Sequence, residues 1–115
     1  MSYTETHVGK LRKVETGPNI EDWCQAYCHT EGYHELESYH ENWTEQFREH
    51  FYDKFLVTEN TVYEIFDHIE TDDGSIYHMQ ENPDGTYTFV MQFYNGGTCL
   101  SECLEEGLEK VNKNV

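Results

Sequence analysis

Leu, Ile, Val and Phe supply only 23 of the 115 side chains, close to the ~20% below which a strongly charged chain stays unfolded. A fold built from this chain must therefore find much of its core elsewhere. Nine Tyr and two Trp are the other large apolar bodies, and each removes about 150–250 Å² from water when buried. The expectation is a single domain over residues 1–115 with an aromatic core, in keeping with the roughly 100–200 residues that a domain usually takes.

Charge narrows the function classes. Seven Lys and Arg stand against 23 Asp and Glu, a formal net charge of -16, and the isoelectric point is about 4.5. Direct binding to DNA, RNA or an anionic membrane through a broad basic patch is thereby excluded. No apolar run approaches the ~18 residues of a membrane span. The opening MSYTETHVGKLRK lacks a hydrophobic export core, so a cytoplasmic setting is expected. The cations are also segregated. Lys10, Arg12 and Lys13 lie near one end and Lys110 and Lys113 near the other, leaving Arg48 and Lys54 alone between Val14 and Glu109 against 22 acids.

The hydrophobic pattern predicts an α+β fold, an antiparallel β-meander of about four strands with two to three helices packed on one face. Val8–Val14 alternates weakly as a strand. After Thr16-Gly17-Pro18-Asn19, with Asn19 as the expected N-cap, Ile20, Trp23, Cys24, Tyr27 and Cys28 recur at helical spacing up to a stop at Gly32. A second helix is predicted from about Leu36 or Ser38 to Phe55. Its stripe is Leu36, Tyr39, Trp43, Phe47, Phe51 and Phe55, with Ser38 and Glu41 as a capping box. Strands follow around Phe55–Thr58, Thr61–Ile69, Ile76–Gln80 and Thr86–Tyr94. The turns between them are Glu59-Asn60, Asp72-Asp73-Gly74-Ser75 and Asn82-Pro83-Asp84-Gly85. Asn95-Gly96-Gly97 ends the sheet, and Thr98 caps a last helix carrying Leu100, Cys103, Leu104, Leu108 and Val111.

On the second helix Glu37, Glu41, Glu45, Glu49 and Asp53 recur every four residues. At ~1.5 Å rise per residue they make a column of roughly 24 Å. Like charges at this spacing cost about 0.2–0.5 kcal/mol per pair, so the ridge opposes helix stability. Two readings stand side by side: a solvated helix face, or a surface that imitates nucleic acid. Duplex DNA carries one charge per ~1.7 Å, so sixteen charges match roughly 27 Å of duplex, about one diameter of a domain with a radius of gyration near 13 Å. Tyr52, on the acidic side, is a candidate anchor, because charge by itself gives little affinity.

Cys24–Cys28 and Cys99–Cys103 form two C-x3-C pairs. Four thiolates can hold zinc, yet structural zinc sites favour tighter loops and these cysteines interleave with core aromatic and Leu residues. Core thiols are the expectation, with zinc at Cys24, Cys28, Cys99 and Cys103 or disulfides as the alternatives, the latter disfavoured without an export signal. Seven His are scattered without a ligand motif. No phosphate-cradling loop, nucleophile elbow or zinc-protease signature is present, so a non-enzymatic protein without cofactor is expected.

Phe93-Tyr94-Asn95-Gly96-Gly97-Thr98-Cys99-Leu100-Ser101-Glu102, followed by Leu104-Glu105-Glu106, resembles the ends of small acidic uncharacterised bacteriophage proteins. The resemblance implies an origin in a phage and a life in the host cytoplasm. Small acidic phage proteins include DNA-mimicking inhibitors of restriction enzymes and CRISPR effectors; no site residues carry over from them. The expected role is an inhibitor or regulator that offers Glu37, Glu41, Glu45, Glu49, Asp53 and Tyr52 to a basic nucleic-acid-binding protein of the host or its defences. The alternatives are an immunity protein or antitoxin neutralising a basic toxin, and a zinc-stabilised interaction domain.

Overall fold

A computed structural model describes residues 4–71, 78–94 and 100–113. In chain order the elements are β1 (Thr4–Thr16), a 3-10 turn (Gly17–Asn19), α1 (Ile20–Thr30), α2 (Trp43–Phe51), β2 (Phe55–Val57), β3 (Thr61–Thr71), β4 (His78–Glu81), β5 (Tyr87–Tyr94) and α3 (Leu100–Lys113). The architecture is α+β, with an antiparallel sheet of five strands in the order β2-β3-β1-β5-β4. Each strand expected after the second helix has its counterpart. The departure from a simple meander is β1, the faintest strand in the sequence, which lies between the two hairpins.

The reason is visible at Gly9. It pairs with Phe89 across β1 and β5, and a Cβ at Gly9 would come within 2.8 Å of the Phe89 ring. The ring lies over the glycine, so the partner strand supplies the apolar cover that position 9 itself lacks. Leu11, paired with Tyr87, continues the buried face of β1. Lys10 and Arg12 point outward, and the Arg12 guanidinium sits 4.4 Å from the Phe66 ring centroid, a cation–π contact.

The chain forms two compact units, residues 1–12 with 65–115, and residues 13–64. In the first, Tyr87, Phe89 and Met91 of β5, Met79 of β4 and Cys103, Leu104 and Leu108 of α3 are buried, and α3 packs on β4 and β5. The β4–β5 hairpin closes at the predicted turn. Gly85, at φ 89°, donates to the Asn82 carbonyl at 3.0 Å. The Asp84 carboxylate accepts from the Thr86 amide and hydroxyl. The predicted turn at Asp72-Asp73-Gly74-Ser75, the Asn95-Gly96-Gly97 break and the Thr98 cap lie outside the described residues.

The second unit holds the aromatic core that the composition demanded. Ile20, Cys24, Cys28, Phe47, Phe51, Phe55, Val57 and Val62 form one buried cluster flanked by Val14, Trp23, Tyr27, Tyr33 and Trp43. Tyr27 stacks on Trp23 at 5.5 Å and meets Phe47, Phe51 and Phe55 edge-on at 5.0–5.4 Å. Such pairs add about 0.5–1.5 kcal/mol each beyond their buried area. Gly32 ends α1 as predicted. At φ 100° it lets Tyr33 donate to the Cys28 carbonyl and Gly32 to that of His29, which is the paired reverse bonding of a Schellman cap. Asn19 stands at the N-cap of α1 as expected, but it belongs to the preceding turn and makes no side-chain capping bond.

Candidate functional site

The site is organised by the way α2 begins. A helix start leaves four amide donors without helical partners. Here Trp43 and Thr44 donate to the carboxylate of Glu21, which reaches across from α1, at 2.8 and 3.1 Å, and the Thr44 hydroxyl donates to it at 2.7 Å. Glu45 donates to the Asn42 side chain at 2.8 Å, and Gln46 to the Asn42 carbonyl. The Glu45 carboxylate turns back to accept from the Glu41 amide at 3.1 Å. Trp43, Thr44 and Glu45 are thus met by side chains, two of them by an anion at the positive end of the helix dipole, and the Gln46 bond is the first of the helix itself. Burial by itself would raise the Glu21 pKa; the bonds from Thr44 and Trp43 together outweigh it and hold the carboxyl below its ordinary value.

This start corrects the predicted helix. α2 covers Trp43–Phe51, not the span from Leu36 or Ser38 to Phe55. Ser38 caps nothing; Asn42 takes that place. Of the predicted ridge, Glu45 and Glu49 lie on α2, Glu37 and Glu41 precede it, and Asp53 falls in the turn that follows. The five carboxylates are therefore not one helical column. Glu41, Glu49, Asp53 and Tyr52 are exposed, whereas Glu37 and Glu45 are half-buried and engaged within the fold.

The segment before α2 is held against it by a buried amide. Gln46 is fully buried. Its Oε1 accepts from the Glu37 amide at 2.9 Å, and its Nε2 donates to the Glu35 carbonyl at 3.4 Å. One helical turn further on, His50 Nε2 meets Glu37 Oε1 at 3.2 Å. His40 closes a turn by donating its amide to the Glu37 carbonyl at 2.9 Å, which returns its imidazole towards His50 at a ring separation of 5.9 Å. Tyr33 stacks on His50 at 4.5 Å and Tyr39 lies 4.2 Å from His40. The Tyr39 hydroxyl acts on Glu37 as a donor. That donor first, then the charges and bond of His50 and His40, hold the Glu37 carboxyl below its usual range despite some desolvation. Glu37, His40 and His50 bring their ligand atoms within 4.8 Å of one another, and they are the one such group among the described residues.

Sequence reading missed two members of this face. Leu36 and Tyr39 belong to the apolar stripe by spacing, yet they are 38% and 66% exposed, alongside Tyr52 at 68%. Once residues 36–42 leave the helix, helical spacing no longer turns them inward, and no local signal marks that change. Tyr39 stands in a negative field: its action as a donor to Glu37, some burial and the charges of Glu37 and Glu49 raise its hydroxyl pKa. Residues 13–64 carry 12 acids against Lys13, Arg48 and Lys54, so the unit around this face is strongly negative.

The cysteines lie elsewhere. Cys24 and Cys28 are fully buried in the aromatic cluster and free. Burial drives the Cys24 thiol up to about 12 and raises Cys28 as well, which disfavours the thiolates that zinc requires. Cys103 is also buried and free, and Cys99 lies outside the described residues. No helix among the described residues is long and apolar enough to cross a membrane. Compared with protein-family models, curated proteins and solved structures, the chain matches none.

Proposed function

We propose that the chain is a non-enzymatic binding protein. On this reading the negative face around α2 engages a basic nucleic-acid-binding protein of a phage's host or its defences and occupies the groove that nucleic acid would fill. The observation that carries the reading is the company kept by the exposed rings. Tyr39 and Tyr52, both about two-thirds exposed, are set among the exposed carboxylates Glu41, Glu49 and Asp53. Tyrosines rank among the residues that anchor interfaces, and surrounding charge speeds and orients the encounter.

The binding contribution differs among the carboxylates. Glu41, Glu49 and Asp53 are free to replace phosphates, while Glu37 and Glu45 hold the scaffold that presents them. The test is capture from host lysate with the full chain and with a Glu41→Lys/Glu49→Lys/Asp53→Lys variant. Partners retained by the parent chain, released by duplex nucleic acid or salt, and lost with the variant support the reading. Retention that ignores both charge reversal and nucleic-acid competition rejects it.

A further inference from the structure

We propose that Glu37, His40 and His50 form a Zn2+ site, with one carboxylate oxygen and two imidazole nitrogens as ligands and the fourth tetrahedral position open to water. The site does not depend on the partner reading above. Its chemistry selects the metal: two nitrogen donors and one carboxylate suit zinc and its transition-metal neighbours, whereas calcium and magnesium call for oxygen ligands throughout.

Geometry supports it at three levels. Zn–N and Zn–O bonds of about 2.0–2.2 Å place tetrahedral ligand atoms roughly 3.3–3.5 Å apart. Glu37 Oε1 and His50 Nε2 already stand at 3.2 Å, and no pair in the group exceeds 4.8 Å. Binding requires the wider pairs of the group to close by about 1 Å, and His40 is carried on a turn outside the helix. The scaffold is rigid where it needs to be. Gln46 locks the backbone of Glu37 to α2 one turn before His50, and the Tyr39 ring lies 4.2 Å from that of His40, where its hydroxyl can serve as an outer partner to a ligand.

An ordinary Glu–His surface pair explains Glu37 and His50 but leaves His40 unexplained. His40 Nε2 is shielded from solvent and has no hydrogen-bond partner. Buried polar atoms are nearly always paired, and an ion is one of the few things that accounts for an exception. A metal shared by the three residues gives that nitrogen a partner when Nε2 is the atom His40 contributes. Bound zinc would tie the 37–40 turn to the last turn of α2 and so fix Tyr39 on the exposed face.

The test is titration of the full, reduced chain with Zn2+ by calorimetry and with Co2+ by visible absorption. One saturable equivalent is expected, with the d–d bands of four- or five-coordinate cobalt and no thiolate-to-cobalt charge-transfer band. His40→Gln and His50→Gln should each weaken Zn2+ binding by at least about 100-fold, more than the 10–100-fold typical of an outer partner; Tyr39→Phe should fall within that lower range. Circular dichroism checks that the variants fold, and His40→Gln, in a turn away from the core, carries the test if His50→Gln does not. Absence of saturable binding, unchanged affinity in folded His40→Gln, or a charge-transfer band placing the metal on cysteine would each overturn the proposal.

Discussion

Glu21 is the residue through which α1 dictates where α2 starts, and its removal should be costly for a half-buried side chain. Three donors converge on its carboxylate at 2.7–3.1 Å. Loss of a helix N-cap costs about 0.5–2 kcal/mol, and loss of an anion at the helix N-terminus about 0.3–1 kcal/mol more. Part of the loss returns as water reaches the freed amides. Glu21→Ala should therefore destabilise by about 2 kcal/mol, and Glu21→Gln, which keeps the shape and an acceptor but not the charge, by about 1 kcal/mol. At roughly 4 °C per kcal/mol for a chain slightly above 100 residues, Glu21→Ala should lower Tm by about 8 °C. The folded-state pKa of Glu21 lies below its unfolded value. The charge-dependent part of this stability is accordingly complete above the ordinary Glu pKa of ~4.3 and vanishes as pH falls through the lower folded value. Urea unfolding of parent and Glu21→Gln at pH 7 and pH 3 reads both effects. A gap of about 1 kcal/mol at pH 7 that narrows as pH falls below the ordinary Glu range is expected. A gap below about 0.3 kcal/mol at pH 7, or one that ignores pH, would refute the capping role.

Other outcomes follow from the same geometry. Glu49→Lys turns an i,i+4 repulsion from Glu45 into an attraction and places a cation in the last turns of α2, so stability should rise by about 0.5 kcal/mol in a denaturant titration while partner capture falls. Gly9→Ala drives a Cβ to 2.8 Å from the Phe89 ring and 3.1 Å from the His68 backbone; overpacking of this kind costs about 1–3 kcal/mol, again read by urea unfolding. Cys24, with its thiol raised to about 12, should resist alkylation at pH 8 in the folded protein and react on the timescale of unfolding, as mass spectrometry of labelled peptides would report.

Much of the fold was legible in the sequence because local signals agreed with one another. The apolar period of α1 ends at a glycine that takes a positive φ, Asn82–Gly85 has the chemistry of a tight turn, and α3 buries Cys103, Leu104 and Leu108 at helical spacing. The extent of α2 was not legible. The i, i+3, i+4 stripe runs unbroken from Leu36 to Phe55, with no glycine or proline to interrupt it. What decides the start is a carboxylate 22 residues upstream, together with an Asn42 cap that locally looks no stronger than Ser38. The central position of β1 was hidden for a similar reason, since the cover for Gly9 comes from Phe89, 80 residues away. The Glu37–His40–His50 group matches no spacing motif because its members meet through Gln46 and a turn, both products of the tertiary fold.

The claim that matters most is that the face around α2 is where a partner sits. Carboxylate footprinting of the full chain, free and in its captured complex, tests it directly. Labelling of Glu41, Glu49 and Asp53, with iodination of Tyr39 and Tyr52, should fall together in the complex while Glu102, Glu105 and Glu106 on α3 stay reactive. Protection confined to α3 or the strands, with both tyrosines labelled as in the free chain, would contradict it.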